Sequence, residues 1–293
     1  MILPVPGDGF EWRLFGERWG LVCVPLDAVA AHVFTGRDWP IGRPPPSEET
    51  SVDDRHRAIE GYRAWRAVAN AVRVEEARLR RARQVHGAAV AMGFRDPAQP
   101  LPAADVIVVS EPGEAAAIQV ADCLPLLIVD GATGVVAAVH AGWRGLSARA
   151  PQVAVDTLVG HFGARPADLL VAIGPSIGPC CYEVGSDVRL ALDEAGCPVD
   201  QVTSWFHDRP ARSDRNPSLL SNVRRTPMDG PRWFFDTWAA ASDQLTAKGV
   251  LPSQVFRAEL CTASHPDVLC SYRRDGQQAG RLAAAIRCGE CRP

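Results

Sequence analysis

A chain of 293 residues with 47% apolar and 22% charged side chains is an ordinary soluble globular protein, long enough to bury one large core or two smaller ones. Its 31 basic residues are outnumbered by 34 acidic ones, for a formal net charge of -3, which argues against a nucleic-acid binder. No apolar run approaches the roughly 20 residues that span a bilayer. The opening MILPVPGDGFEW lacks both the charged start and the apolar middle of a signal peptide, so a cytoplasmic protein without a membrane partner is expected. Nine cysteines, an odd number with no export signal, argue against disulfides and leave thiol or metal chemistry open.

The amino-terminal part offers two short strands, WGLVCVP and AHVFTGR, and a proline-rich loop, WPIGRPPPSEE. From Val52 to about Arg83 the spacing turns helical, with Ile59, Tyr62, Trp65, Ala69 and Val72 three or four residues apart. The middle is strand-rich: ADVIVVS, AAAIQVADC, PLLIVD and GVVAAVHAG follow one another across the turn signals EPGE, Pro125 and DGATG. Strands so closely spaced leave little room for crossover helices, which favours antiparallel or mixed pairing. A helix is expected from about Ser147 to Phe162, then a strand in LLVAIG. His207 to Trp233 is polar, basic and proline-rich, and reads as a long surface loop, either mobile or a lid. Beyond it come a helix in FDTWAAASDQLTAKG, strands in QVFRAELCTA and VLCSYRR, and a short final helix in GRLAAAIRC. This is an α+β, layered pattern: a mixed β-sheet core flanked by helices. With strands on both sides of every candidate boundary, residues 1–293 read as a single domain.

Three segments each place a soft-metal ligand beside a chain break: His86 in QVHG, Cys123 in ADCLP and His140 in VHAGWRG. Zinc accepts imidazole and thiolate together, and three protein ligands leave a fourth position for water or substrate. The 37- and 17-residue intervals are too long for a local metal loop, so only a sheet that lays strand ends side by side could gather them. A cysteine in an apolar run is, however, most often a small buried hydrophobe. The same atoms also fit a metal-free hydrolase, with Cys123 as nucleophile, His86 or His140 as base and Asp122 as orienter. Around His140, the small residues Ala141, Gly142 and Gly145 admit a ligand close to the backbone. Arg144 offers a planar fork for phosphate or carboxylate. SYRRDGQQAGR adds Arg273, Arg274 and Arg281 as further anion-binding candidates or a solvated turn. The two Gly-Pro pairs of AIGPSIGPCCYEVG read as a rigid pocket wall, since proline supplies no N–H to cradle a phosphate. The terminal CGEC, Cys288 to Cys291, is a weak CxxC signal.

Taken in order, RQVHG, ADCLPLLIVD, VVAAVHAGWRGL, AIGPSIGPCCYEVG, ELCT and SYRRDG resemble the ordered signature of one family. It is the family labelled multicopper polyphenol oxidoreductase or laccase-like, also called peptidoglycan editing factor and described as purine nucleoside phosphorylases. The likeness is clearest over residues 84–281. It implies a zinc site of His86, Cys123 and His140, with copper the less expected metal. It also implies a layered fold similar to that of the cytotoxic necrotizing toxin deamidases. Within this frame Cys123, His140 and Asp122 are the catalytic candidates, and Arg144, Arg273 and Gln84 the substrate- and phosphate-binding ones. The amino-terminal end departs from the family, which usually carries something like TR-GGVS and NLG where this chain has FTGRDWPIGRPPPSEETSVDD.

Multicopper oxidation is not expected. A type-1 copper and a three-copper cluster need about ten histidines, many in His-x-His pairs, and this chain has seven histidines and no such pair. Phosphorolysis of adenosine or inosine, and of methylthioadenosine, fits better, because it needs an anion clamp, stabilisation of the leaving purine and exclusion of water. Adenosine deamination, which the resemblance also implies, would use zinc to activate water for attack at C6. The alternatives are the cysteine hydrolase, acting on cell-wall precursors, and a non-catalytic protein that binds nucleosides or metal.

Overall fold

Every residue of β8 (Leu124–Asp130) and β9 (Val136–Ala141) is buried, so the sheet they form must be covered on both faces. A computed structural model, which describes residues 2–39, 41, 64–93, 100–218 and 230–289, shows how. One six-stranded sheet runs in the order β14 (Val255–Arg257), β10 (Leu169–Ile173), β8, β9, β6 (Val106–Val109) and β5 (Val90–Met92). A second runs β1 (Phe10–Phe15), β2 (Arg18–Cys23), β3 (His32–Thr35), β15 (Leu282–Arg287), β7 (Ala115–Val120) and β4 (Leu79–Arg80). Both are mixed: most pairs are antiparallel, while β5·β6, β10·β14 and β4·β7 are parallel.

The period-2 alternation of the strands sorts their side chains into three cores. Ile118, Val120, Leu282 and Ile286 meet Ile107, Leu127, Val129 and Val136 between the sheets. Ala115, Ala117, Ala283 and Ala285 face the other way and receive Trp65, Val68 and Ala69 from a helix, α2, at 64–71; a short helix, α1 (Val24–Asp27), precedes it. On the outer face of the first sheet, Leu126, Ile128, Val139, Val171 and Ile173 pack with α4 (Ala150–Phe162) and α7 (Thr237–Thr246). The result is four layers, helix–sheet–sheet–helix. Each buried Val, Leu or Ile contributes about 1.5–3 kcal/mol. A small sheet of β11 (Glu183–Val184), β13 (Trp233–Phe235) and β12 (Phe206–His207) lies with α5 (Ser186–Glu194) and α6 (Val199–Trp205).

Several elements differ from the sequence expectation. The helical spacing from Val52 ends early: Ile59 and Tyr62 lie outside the described residues, and Arg73 turns left-handed (φ 58°) after α2. The chain then passes through a 3-10 turn, Glu76–Arg78, into β4. The helix expected from about Ser147 is α4, which starts only after Arg149 adopts φ 59°, and a separate short helix, α3 (Trp143–Ser147), precedes it. VLCSYRR is no strand; it ends in the short helix α8 (Tyr272–Asp275), capped by the Ser271 hydroxyl. GRLAAAIRC is not a helix but the strand β15, hydrogen-bonded to β3 and β7. Of the expected long loop, 219–229 lies outside the described residues, while Asn216 is buried and holds the backbone of Glu259 and Cys261. No helix among the described residues is long and apolar enough to cross a membrane.

Candidate active site

The antiparallel register of β8 with β9 pairs Leu124 with Ala141 and Pro125 with His140, so Cys123, one residue before β8, stands beside the end of β9. The third segment arrives from the loop between β4 and β5, where His86 adopts φ 61°. Asp122, next to Cys123, is also left-handed at φ 87°. Non-glycine residues held in this region cost about 1–3 kcal/mol each and gather at functional sites. Ligand atoms of His86, Cys123 and His140 all lie within 4.8 Å of one another, and the two imidazoles meet edge to face with centroids 4.9 Å apart. Ligands at about 2.1–2.3 Å from a tetrahedral zinc stand about 3.3–3.8 Å apart, so the donor set fits one ion after small side-chain adjustments. Gly142 permits the approach: a Cβ there would sit 2.8 Å from Cys123 Sγ.

Asp105, at the start of β6 and fully buried, organises the site. Its Oδ1 stands 2.8 Å from His140 Nδ1, and its main-chain carbonyl accepts from His140 N. The same carboxylate accepts the N–H groups of His86 at 3.0 Å and Gly87 at 2.7 Å, with a longer contact from Val85. With Nδ1–H donated to Asp105, the His140 Nε2 lone pair is left for a metal or a proton. In the sequence Asp105 looks only like the turn before the strand of ADVIVVS. Burial opposes the Asp105 charge, but the His140 and backbone hydrogen bonds outweigh it and lower the carboxyl's pKa. Burial likewise works against the Cys123 thiolate, yet the charge and hydrogen bonding of His140, with a hydrogen bond from His86, bring it down to about 6. His140, resisted by burial and favoured by Cys123 and Asp105, rises to about 9.

Gln84, Asp122, Arg144 and Arg273 border the same cleft of about 1400 Å³, but their side chains differ in what they have to offer. Gln84 clips two segments together, donating to Gln119 O and accepting from Gln119 N. The Asp122 carboxylate contacts neither histidine: it accepts from the Thr262 hydroxyl at 2.5 Å and Arg273 N at 2.6 Å. Arg273 donates Nη1 to Glu183 O and lies over the Tyr182 ring. Arg144 rests its guanidinium on Trp143, 4.2 Å from the ring centroid, and extends to the cleft with no hydrogen-bond acceptor among the described residues. Arg274 instead folds inward onto the carbonyls of Thr262 and Leu269. Ile177 and Tyr182, from the Gly-Pro loop, form part of the wall, and Arg281 contributes at the border.

Residues 32–289 match the family model described as "Multi-copper polyphenol oxidoreductase laccase". The chain belongs to that family. Within it, the chain is 31% identical over 262 residues to a protein of Deinococcus radiodurans named "Purine nucleoside phosphorylase", covering 87% of this chain and 88% of that one. A protein of the same name from Bacteroides thetaiotaomicron is 33% identical over 182 residues, 62% of this chain; there the match spans about three-fifths, 60%, of the relative's length. Among solved structures, YlmD from Geobacillus stearothermophilus is 27% identical with a TM-score of 0.73, covering 95% of this chain and 99% of that one. A Bacillus licheniformis hypothetical protein, YfiH, shares the fold at 22% identity and a TM-score of 0.75, over 94% of this chain and 98% of that one.

Proposed function

We propose that this chain is a zinc-dependent purine nucleoside phosphorylase, converting adenosine or inosine, and methylthioadenosine, to free base and ribose 1-phosphate, with adenosine deamination as a second reaction of the same cleft. The observation that carries this is the convergence of His86, Cys123 and His140 on one point in the wall of a cleft bordered by arginines. The names of the Deinococcus and Bacteroides relatives support the substrate class. A bound zinc would act there as a Lewis acid, polarising the departing purine or water.

The chain's own residues supply the rest. Arg144, whose guanidinium meets no acceptor among the described residues, clamps phosphate at the mouth of the cleft, and Arg273 contributes its remaining donors from the opposite segment. Tyr182, half-buried in the cleft wall and with its hydroxyl held protonated, offers a ring face to the base. Asp122 holds the β7–β8 turn against the 262 and 273 segments and so fixes the position of Cys123.

Incubation with inosine and phosphate should release hypoxanthine and ribose 1-phosphate, and His140→Ala should abolish the release. Base appearing at the same rate without phosphate would instead make the enzyme a nucleoside hydrolase. A second reading has its own observation: Cys123, His140 and Asp105 form a Cys–His–Asp line in which the thiol lies near pKa 6 and the imidazole near 9, the ion pair of a cysteine hydrolase. Metal analysis separates the two. Stoichiometric zinc that is lost in Cys123→Ala supports the phosphorylase, whereas metal-free protein inactivated by thiol alkylation supports the hydrolase.

A further inference from the structure

A second group of sulfurs lies apart from the cleft. Cys180 and Cys181, in the Gly-Pro loop after β10, meet Cys261 from the segment after β14, and their Sγ atoms all lie within 4.8 Å of one another. Cys180 and Cys181 Sγ are 3.6 Å apart. All three are buried, and among the described residues no cysteine is in a disulfide. The polar surroundings point at the sulfurs: Gly178 N donates to Cys261 Sγ at 3.3 Å, and the buried Ser264 hydroxyl stands 3.5 Å from the sulfurs of both Cys180 and Cys181. A parallel bridge between Ser176 and Cys261 fixes the two segments together.

We propose that Cys180, Cys181 and Cys261 form a second metal site, which takes a soft, low-coordinate monovalent ion of the Cu(I) class. Three sulfurs bound at about 2.3 Å to one ion in a trigonal arrangement stand about 4 Å apart, so the cluster needs shifts of under an ångström. Soft thiolates select Cu(I) or zinc. Zinc in a structural site requires four ligands, and the fourth group here is only a serine hydroxyl. Three thiols with no strong fourth donor suit an ion content with two or three sulfurs. Binding an ion as thiolates would displace the protons of the thiols. Both segments that carry the thiols also build the cleft: Tyr182 follows Cys181 in the wall, and Thr262, next to Cys261, holds Asp122. A loaded cluster therefore cross-links two walls of the active site without contacting substrate.

The test uses Cys123→Ala protein, in which the His–Cys–His site lacks its sulfur, titrated anaerobically with Cu(I) against bicinchoninate. One equivalent should be withdrawn from the chelator, and Cys180→Ser/Cys261→Ser introduced in the same background should abolish the uptake. Failure of the Cys123→Ala protein to compete for Cu(I), or undiminished uptake in the triple variant, overturns the proposal. Should that variant not fold, X-ray absorption on the loaded Cys123→Ala protein decides: three sulfur neighbours are expected, and a shell of nitrogen or oxygen overturns it. Neither outcome bears on nucleoside turnover, so this site and the proposed reaction stand or fall separately.

Discussion

The fully buried Asp105 carboxylate takes hydrogen bonds from His140 Nδ1 and from three successive backbone N–H groups of the His86 loop, so one side chain sets both imidazoles. Outer partners of this kind typically govern metal affinity by about 10–100-fold. Asp105→Asn should therefore weaken zinc binding by that factor, measured by competition with a chromophoric chelator, and Asp105→Glu should not restore it, because the longer side chain does not fit among those donors. The protonation of the site adds a pH dependence. Between about 6 and about 9 the Cys123–His140 pair holds one proton, as thiolate and imidazolium. Zinc needs the thiolate and a neutral imidazole, so binding expels that proton and affinity should rise about tenfold per pH unit across the window. It should level off above about 9, and steepen below about 6, where Cys123 must also lose a proton. A flat profile in calorimetric titrations would remove the ion pair from the account. His86, Cys123 and His140 were expected together because each sits in a short motif that carries the family resemblance, and the structure brings their donor atoms within 4.8 Å of one another. Asp105 was not, since its partners are backbone N–H groups and a histidine 35 residues away.

At the scale of the elements, the strands from Val106 to Ala141 were readable because β-branched residues and turn signals alternate there. The final strand was not. LAAAIR has the alanine content of a helix, yet β15 sits between β3 and β7 in the centre of its sheet. Its alanines fill both faces: Ala283 and Ala285 let α2 approach, while Ala284 packs with Leu282 and Ile286 between the sheets. Small residues at positions squeezed by two layers look like helix formers only until the layers are known. The break between α3 and α4 was hidden for a different reason, since the apolar spacing continues through Arg149, which alone turns left-handed. The edge of the same sheet depends on charge. Arg80 of β4 donates Nε to Glu114 Oε2 at 2.8 Å, with both side chains buried. Removing one member of a buried pair strands the other charge, at about 3–5 kcal/mol. Glu114→Gln should lose stability on that scale in urea unfolding, while Arg80→Met/Glu114→Met, which leaves no charge behind, should lose much less.

In the whole molecule, the cleft lies where the two sheets bring their strand ends together: the β4–β5 loop, the β7–β8 turn and the end of β9 supply His86, Cys123 and His140 in turn. β7 belongs to one sheet, while β8 and β9 belong to the other, so an ion at His86, Cys123 and His140 ties the sandwich across its two halves. An ion that binds only the folded chain stabilises it by mass action, about 4 kcal/mol at a free concentration of 1,000 times Kd. For a domain of this size each kcal/mol moves the midpoint by about 2 °C. Zinc-loaded protein should thus melt roughly 5–10 °C above the same protein in chelator, and the gap should close in Cys123→Ala. The contrast with a purely local site is informative. If zinc rested only on one loop, its removal would free that loop first, and hydrogen exchange would rise in residues 84–87 while β7 and β8 stayed protected. A site shared by both sheets requires instead that chelation raise exchange together in the His86 loop, the β7–β8 turn and the end of β9. Loss of protection confined to the first of these would show that the three ligands do not act as one tie.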